Sequence, residues 1–200
     1  GVPAALHMAE IKGIFQSLAL FNLKPDDFVA AFNKAVGATF ERKMFVTLSY
    51  LVLNSKQKKL QYIRAGHCPM IYFNKAENTC QFLKGEGMGL GIVKSEIFKE
   101  HIQLYEQPYH PGDILVLFTD GITEATNGID AEEFGEDRLL KVVNNSVNED
   151  AEGIKKAILA AYRRFTKNLN GNKDDITLLV IKFWSLSRLQ NIFNRKPYTS

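Results

Sequence analysis

Apolar residues recur every three or four positions near the start of the chain, which is the spacing of an amphipathic helix. The residues that share this spacing after Pro3 are Ala4, Met8, Ile11, Phe15 and Leu18. The Pro25-Asp26-Asp27 segment interrupts the pattern, and a second amphipathic stretch begins at Phe28 and ends near Gly37 or Phe40. The pattern predicts two helices in this part of the chain.

The middle of the chain alternates between apolar runs and polar turns. Met44–Leu53 and Leu60–Arg64 flank a polar segment and predict an antiparallel hairpin. Met70–Phe73 and Cys80–Leu83 predict a second, shorter pair of strands. Further strands are predicted at Phe98–Tyr105, Ile114–Thr119 and Ile176–Phe183.

Two more helices are predicted between the last two strands. They lie near Ala131–Val143 and Asp150–Asn168, and Ser146 with Glu149 has the spacing of a capping box before the second of them. An order of helices, strands, helices and a strand is typical of α+β proteins with mostly antiparallel pairing. The predicted fold class is therefore α+β.

Composition and charge narrow the classes of function. A chain of 200 residues, 46% of them hydrophobic, suits one globular domain with its own core. The net charge of +3 comes from three basic residues near the end of the chain, Arg188, Arg195 and Lys196, and the balanced remainder lacks the basic face of a nucleic-acid binder. No apolar run approaches the roughly 20 residues that cross a bilayer, and no signal peptide is apparent, so we expect a cytoplasmic protein. The missing initial methionine suggests a fragment of a longer chain.

Residues 184–200 form a basic tail with two open interpretations. Its apolar residues Leu186, Leu189, Ile192 and Phe193 fall close to one helical face. The tail would then dock on the domain, on a second copy in a homodimer, or on an anionic surface. The alternative is a half-ordered terminus.

Several polar or reactive residues favour structural roles. Cys68 and Cys80 cannot form a disulfide framework or a four-cysteine zinc site, and reduced thiols that act as small hydrophobic residues are expected. The alternating glycines of residues 85–91 lack the third glycine of a dinucleotide-binding motif, and a flexible loop is expected there. His67 has two interpretations, a general acid or metal ligand and a structural histidine in a tight turn, and the second is favoured. Glu124 is as well explained by a solvated helix residue as by a ligand.

Two groups of carboxylates flank apolar strands and are candidates for metal binding. Asp120 follows the strand ILVLFT, and Asp174 with Asp175 precedes the strand ITLLVIKF. Both strands are apolar on both faces, so both are predicted to be central in a sheet. If they are antiparallel neighbours, the carboxylates meet at one edge, where a hard cation such as Mg²⁺ or Mn²⁺ would offset their repulsion. The alternative is that these acids are ordinary turn residues.

The chain carries a series of short motifs in a fixed order. They are Gly1-Val2-Pro3-Ala4-Ala5-Leu6, Phe45-Val46-Thr47, Ala65-Gly66-His67-Cys68-Pro69, Gly89-Leu90-Gly91, Pro111-Gly112-Asp113, Thr119-Asp120-Gly121-Ile122-Thr123-Glu124-Ala125, Phe134-Gly135 and Asp174-Asp175-Ile176-Thr177. This series resembles the SpoIIE/RsbU-type serine phosphatases of bacteria, which are PPM-type metal-dependent enzymes. The matches keep their order and cover residues 1 to about 183, so the resemblance is specific.

The resemblance implies a fold, a pair of ions and a reaction. The fold is an α-β-β-α sandwich of two mostly antiparallel sheets flanked by helices. Two Mn²⁺ or Mg²⁺ ions would activate water for in-line attack on a phosphoserine or phosphothreonine. Asp120 and Asp174 match metal-binding aspartates of the family, and Asp175 matches the neighbour of the second.

The resemblance also implies partners. The substrate would be a phosphorylated anti-sigma-factor antagonist of the STAS type, and the output would be control of a sigma factor. A membrane would be involved only through an upstream domain.

One departure from the family pattern predicts a property of residues 1–200 on their own. In the family, a strand hairpin and a bridging metal aspartate lie just upstream of the position that Gly1 matches. Without that carboxylate we expect weak metal binding and little or no activity. Two other functions stay open: a non-catalytic phosphatase-like module that sequesters a signalling partner, and an unrelated hydrolase with an α+β fold.

Overall fold

The computed structural model describes residues 2–40, 44–93, 95–127, 132–167 and 174–184. The predicted tail therefore lies almost wholly outside the described residues. In chain order the helices and strands are α1 (Val2–Ala19), α2 (Pro25–Thr39), β1 (Leu48–Asn54), β2 (Lys59–Ala65), β3 (Met70–Asn74), β4 (Thr79–Leu83), α3 (Ser95–Phe98), β5 (Leu104–Pro108), β6 (Ile114–Phe118), α4 (Asp120–Thr123), α5 (Gly135–Asn145), α6 (Ala151–Phe165) and β7 (Leu178–Lys182).

These elements form two compact units. Unit 1 consists of residues 1–68 and 84–108 and contains an antiparallel sheet in the order β1-β2-β5. Unit 2 consists of residues 69–83 and 109–200 and contains an antiparallel sheet in the order β4-β3-β6-β7. Two antiparallel sheets with accompanying helices confirm the α+β class. None of the helices described has both the length and the apolar character needed to cross a membrane.

The core of unit 1 forms between α2 and its sheet. Pro25 opens α2 with two aspartates in the first turn, where proline and acidic residues are both favourable. The buried members of this core are Phe28, Val29, Phe32, Val36, Ile63, Ala65, Leu90 and Phe98. Ile11 and Leu18 of the predicted stripe on α1 pack against it together with Ile14, whereas Met8 of the same stripe is 61% exposed.

The strand predicted at Phe98–Tyr105 is wrong in its position. Phe98 is fully buried at the end of the short helix α3, and residues 99–101 form a 3₁₀ turn. Pairing with β2 begins only at Leu104, which lies opposite Ile63, and it ends at Pro108. The apolar residue Phe98 is thus buried by a helical turn rather than by a pleated strand.

The helices of unit 2 begin and end differently from their predicted bounds. Within the described residues, α5 begins at Gly135; Ala131, where the prediction began, lies outside them. The expected Ser146–Glu149 cap of α6 is wrong, because the side chain of Asp150 accepts the cap hydrogen bond from the Gly153 amide at 2.7 Å. The Ser146 hydroxyl instead donates to the carbonyl of Val142 at 2.8 Å, at the end of α5.

Cys80 has the environment expected of a small hydrophobic residue, and we expect its thiol to react slowly with alkylating reagents. Neither Cys68 nor Cys80 forms a disulfide, and burial raises the pKa of the Cys80 thiol to about 11. The thiolate is the reactive species, so in a Cys68→Ser variant we expect Cys80 to react slowly with iodoacetamide at pH 8 and faster as the pH approaches 11. The same variant in urea is the control, and a folded-state rate equal to the unfolded-state rate would contradict the prediction.

Candidate metal centre

Strands β6 and β7 bring the two candidate carboxylate groups to one rim of the sheet in unit 2. The strands pair antiparallel, with Phe118 at the end of β6 opposite Leu178 at the start of β7. Beyond the strands, the Thr119 amide donates to the Thr177 carbonyl at 3.1 Å and extends the pairing towards Asp120. The structure therefore meets the condition that the sequence analysis set, namely that these two strands are antiparallel neighbours.

The two strands differ in how they are covered. β6 lies between β3 and β7 and is largely buried, as predicted. β7 was also predicted to be central, and this is wrong: within the described residues it pairs with β6 alone and lies at the end of the sheet order. Leu179 is 50% exposed. A strand whose sequence is apolar on both faces is therefore not necessarily buried on both faces.

Gly121 allows the two acidic segments to approach each other closely. A Cβ atom on Gly121 would lie 2.5 Å from the Asp175 carbonyl oxygen and 3.6 Å from the Asp174 Cβ. The first distance is far shorter than van der Waals contact, so a side chain here would push the segments apart. Glycine is therefore needed directly after Asp120.

The carboxylates themselves face solvent at this rim. Asp120, Asp174 and Asp175 are all exposed, and Asp174 Oδ1 accepts a hydrogen bond from the Asp175 amide at 2.8 Å. Oxygen donors of this kind suit Mg²⁺ or Mn²⁺. Among the residues that the structure describes, however, no three His, Cys, Asp or Glu side chains gather as a set of metal ligands. The strand ends meet, but the three acids do not form the closed cluster that the sequence suggested.

Tyr162 of α6 is the neighbour of Asp174 that the sequence did not reveal. The side chain is 4% exposed. Burial raises the pKa of its phenol, and the negative charge of Asp174 raises that pKa further. The phenol therefore stays protonated beside the rim, as an uncharged neighbour of the acidic segment.

Thr119 fixes the segment that carries Asp174 and Asp175. Its hydroxyl oxygen accepts a hydrogen bond from the Thr177 amide at 2.9 Å and lies 3.4 Å from the Asp175 carbonyl, to which it donates. The hydroxyl thus links the start of α4 to the entry into β7. The Thr-Asp-Gly tripeptide was visible in the sequence, but the hydrogen-bond partners of its threonine were not.

We expect Thr119→Val to lower the free energy of unfolding by about 1 kcal/mol, because an isosteric side chain loses both hydrogen bonds. Urea denaturation followed by circular dichroism measures this change. Thr79→Val is the matched control: Thr79 is exposed on β4, and within the described residues its hydroxyl makes a single long hydrogen bond, to the Glu77 carboxylate at 3.4 Å. Equal losses in the two variants would contradict the role given to Thr119.

His67 and the neighbouring glycines have structural contacts within unit 1. His67 Nδ1 lies 3.1 Å from the Thr47 hydroxyl, and the His67 carbonyl accepts from Arg64 at 2.9 Å, as a structural histidine would. A Cβ on Gly87 would collide with the Arg64 carbonyl, and one on Gly66 would lie 2.8 Å from the Gly89 nitrogen. The glycines of residues 85–91 thus permit close backbone approach, whereas the sequence suggested only a flexible loop.

Two other residues of the motif series have defined positions. Glu124 is exposed at the end of α4, and its amide donates to the Asp120 carbonyl at 2.8 Å. Asp113 is fully buried and accepts three hydrogen bonds, from Tyr72, Lys75 and His110. The sequence gave no role to Asp113 beyond its place in a turn, and the structure makes it a centre of hydrogen bonding in unit 2.

Comparison with known proteins identifies relatives of this chain. The family model described as Stage II sporulation protein E (SpoIIE) matches residues 1–184. The phosphoserine phosphatase RsbU of Bacillus subtilis (strain 168) is 34% identical over 124 residues, which are 62% of this chain and 36% of RsbU. The chain thus matches about a third of the length of that relative.

Solved structures show the same fold. The SiaA-PP2C domain of Pseudomonas aeruginosa superposes with a TM-score of 0.74 at 19% identity, covering 92% of this chain and 71% of that domain. The catalytic domain of the serine/threonine protein phosphatase PstP, solved in complex with two manganese ions, has a TM-score of 0.58 at 13% identity, covering 88% and 81%. The paired strands with acids at one rim therefore lie in a PP2C-type fold, and the chain belongs to the SpoIIE family.

Proposed function

We propose that the protein containing this chain is a metal-dependent phosphatase that removes phosphate from serine or threonine side chains of a regulatory protein. The family of the chain and its PP2C-type fold support this proposal. The observation that carries it is the pairing of β6 with β7, which sets Asp120 beside the Asp174–Asp175 backbone at one rim of the sheet.

Asp120 and Asp174 would hold the Mn²⁺ or Mg²⁺ ions, with Asp175 as the neighbouring acid. Their exposed carboxylates supply hard oxygen donors from two adjacent strand ends, which is the donor chemistry that these ions prefer. When bound, divalent ions of this kind make water a better nucleophile towards phosphorus at neutral pH. The chain contributes the positions of the donors, which Gly121 and Thr119 maintain through the contacts described above.

The substrate class that fits this rim is a phosphorylated side chain on a protein surface. All three carboxylates are exposed, so a phosphoserine on a folded partner can reach them. The relative RsbU is a phosphoserine phosphatase by name. Together with the resemblance in the motif series, this supports a phosphorylated STAS-type regulator as the substrate.

We further propose that residues 1–200 on their own bind these ions weakly and have little or no activity. Affinity for hard cations rises with the number of charged ligands, and the rim formed by β6 and β7 offers one carboxylate on one side and an adjacent pair on the other. A binuclear site needs more anionic ligands than this rim supplies.

The test is release of phosphate from a phosphoserine-containing STAS-domain protein, with and without Mn²⁺. We expect the complete gene product to release phosphate only when Mn²⁺ or Mg²⁺ is present, and residues 1–200 alone to be much slower. Binding of the phosphoprotein by the complete product without any hydrolysis would overturn the phosphatase and favour the sequestering module. Equal rates for the two polypeptides would overturn only the proposal about residues 1–200.

A further inference from the structure

The helices α5 and α6 form an antiparallel pair with two different faces. Phe134, just before α5, lies with its ring centroid 5.5 Å from that of Phe165 at the end of α6, so the start of one helix adjoins the end of the other. The inner face holds buried apolar residues such as Leu139 and Ile158. The outer face carries a groove of about 450 Å³.

The floor of this groove is apolar. It is lined by Phe134, Val142, Ala161 and Phe165, and the two phenylalanine rings meet edge to face at 76°. The small side chain of Ala161 leaves depth between the helices. An apolar groove between two helices is a surface on which a third helix can bury an apolar stripe.

The rims of the groove are cationic on both sides. Lys141 of α5 and Arg164 of α6 are exposed, line the groove, and have no ion-pair partner within the described part of the chain. Arg138 also lines the groove, but its guanidinium is already engaged by Glu132 and lies 4.8 Å above the Phe165 ring. None of the described residues that line the groove is acidic. These unpaired positive charges therefore favour a ligand that has acidic residues on both flanks of an apolar stripe.

We propose that the groove between α5 and α6 binds an acidic amphipathic helix of a partner protein. Charge complementarity selects this occupant, because positive rims favour a negative partner and disfavour a positive one. The basic tail of this chain, with Arg188, Arg195 and Lys196 and no acid after Trp184, has the wrong sign. This docking surface does not depend on phosphatase activity.

The groove also sets the size of the partner segment. α5 has 11 residues, which corresponds to about 16 Å of helix. A segment of at least three turns with apolar residues at positions i, i+3, i+4 and i+7 and glutamates on both flanks would fill the floor and reach both rims. Partners would be recognised by this pattern rather than by one sequence.

The test uses a fluorescein-labelled synthetic peptide of about 14 residues with leucines on one face and glutamates on both flanks, a length at which isolated helices are marginal in water. Its binding to the 200-residue chain is measured by fluorescence polarisation. A peptide with lysines in place of the glutamates and a scrambled peptide of the same composition are the controls. We expect both controls to bind at least about tenfold more weakly, and added NaCl to weaken binding of the acidic peptide.

Charge reversals in the chain locate the binding surface. We expect Lys141→Glu and Arg164→Glu each to weaken binding about tenfold, since each reverses a rim charge that faces the peptide. Arg163→Glu is the matched control, because Arg163 is the exposed neighbour of Arg164 on α6 and does not line the groove. Circular dichroism of each variant verifies that the fold is intact.

The proposal is overturned if the lysine or scrambled peptide binds as tightly as the acidic one, or if Arg163→Glu weakens binding as much as Arg164→Glu. Chemical-shift changes in ¹H–¹⁵N spectra provide a second measurement that does not depend on the variants. Changes concentrated in α5 and α6 support the proposal, and changes confined to other elements refute it.

Discussion

Replacing Asp120 or Asp174 with asparagine should lower Mn²⁺-dependent phosphate release by the complete gene product more than about 100-fold, because even groups that only hydrogen-bond to metal ligands contribute 10–100-fold. Asparagine keeps the size of the side chain but removes the negative charge that holds a hard cation. The expected loss follows from the position of both residues at the rim where β6 and β7 meet. Asp175→Asn should have a smaller effect, since Asp175 is the neighbour of Asp174, which we propose as the metal ligand.

The measurement is the initial rate of phosphate release over a series of Mn²⁺ concentrations. Variants that have lost a metal ligand should need more Mn²⁺ as well as being slower, which separates metal binding from loss of fold. Asp137→Asn makes the same chemical change on an exposed residue of α5 and should leave the rate unchanged. Retention of half the activity or more in both Asp120→Asn and Asp174→Asn would show that the reaction does not use this rim.

The sequence predicted where the acids lie if β6 and β7 are neighbours, because both sequences are apolar over a full strand length and each carries acids at the end that would meet the other. Antiparallel pairing then brings those acids to one edge. The residue types did not establish the pairing itself, which the structure supplied. The exact spacing of the three carboxylates could not be inferred either, and they do not form a three-ligand set among the described residues.

The two errors about strands have a common physical origin, because the local pattern of apolar residues fixes neither the element that buries a residue nor the extent of its burial. Phe98 is buried by a helical turn and Leu179 is half exposed on a strand that was expected to be covered. Burial at Phe98 depends on α2 and β2, which are distant in sequence. A strand's place at the edge of a sheet likewise depends on its neighbours, which the strand's own sequence does not encode.

Hydrogen bonds between distant residues were the least predictable features. The Thr119 hydroxyl has partners 56 and 58 residues away, and Asp113 is bonded to Tyr72, 41 residues away. A polar residue in a turn gives no indication of such partners. Asp113 nevertheless has the largest set of side-chain hydrogen bonds of the motif residues described above, and its removal has a large expected effect on stability.

Asp113→Ala should lower the free energy of unfolding by about 3 kcal/mol or more, since each hydrogen bond to a charged group contributes about 1.5–3 kcal/mol and buried donors lose their partner. Asp113 Oδ2 accepts from the Tyr72 hydroxyl and the His110 amide, both at 2.8 Å, and Oδ1 accepts from the Lys75 amide at 2.9 Å. The carboxylate therefore ties β3 and the turn after it to the turn before β6. The alanine variant leaves the buried Tyr72 hydroxyl without its acceptor.

Urea denaturation of the variants checks this expectation, with Asp137→Ala as the control for the same change at an exposed site. Tyr72→Phe removes only one of the three bonds and should cost about 1 kcal/mol, so it remains informative if Asp113→Ala does not fold. A loss in Asp113→Ala no larger than that in Asp137→Ala would show that the three donors find other partners. The carboxylate would then occupy its buried position without stabilising the turns.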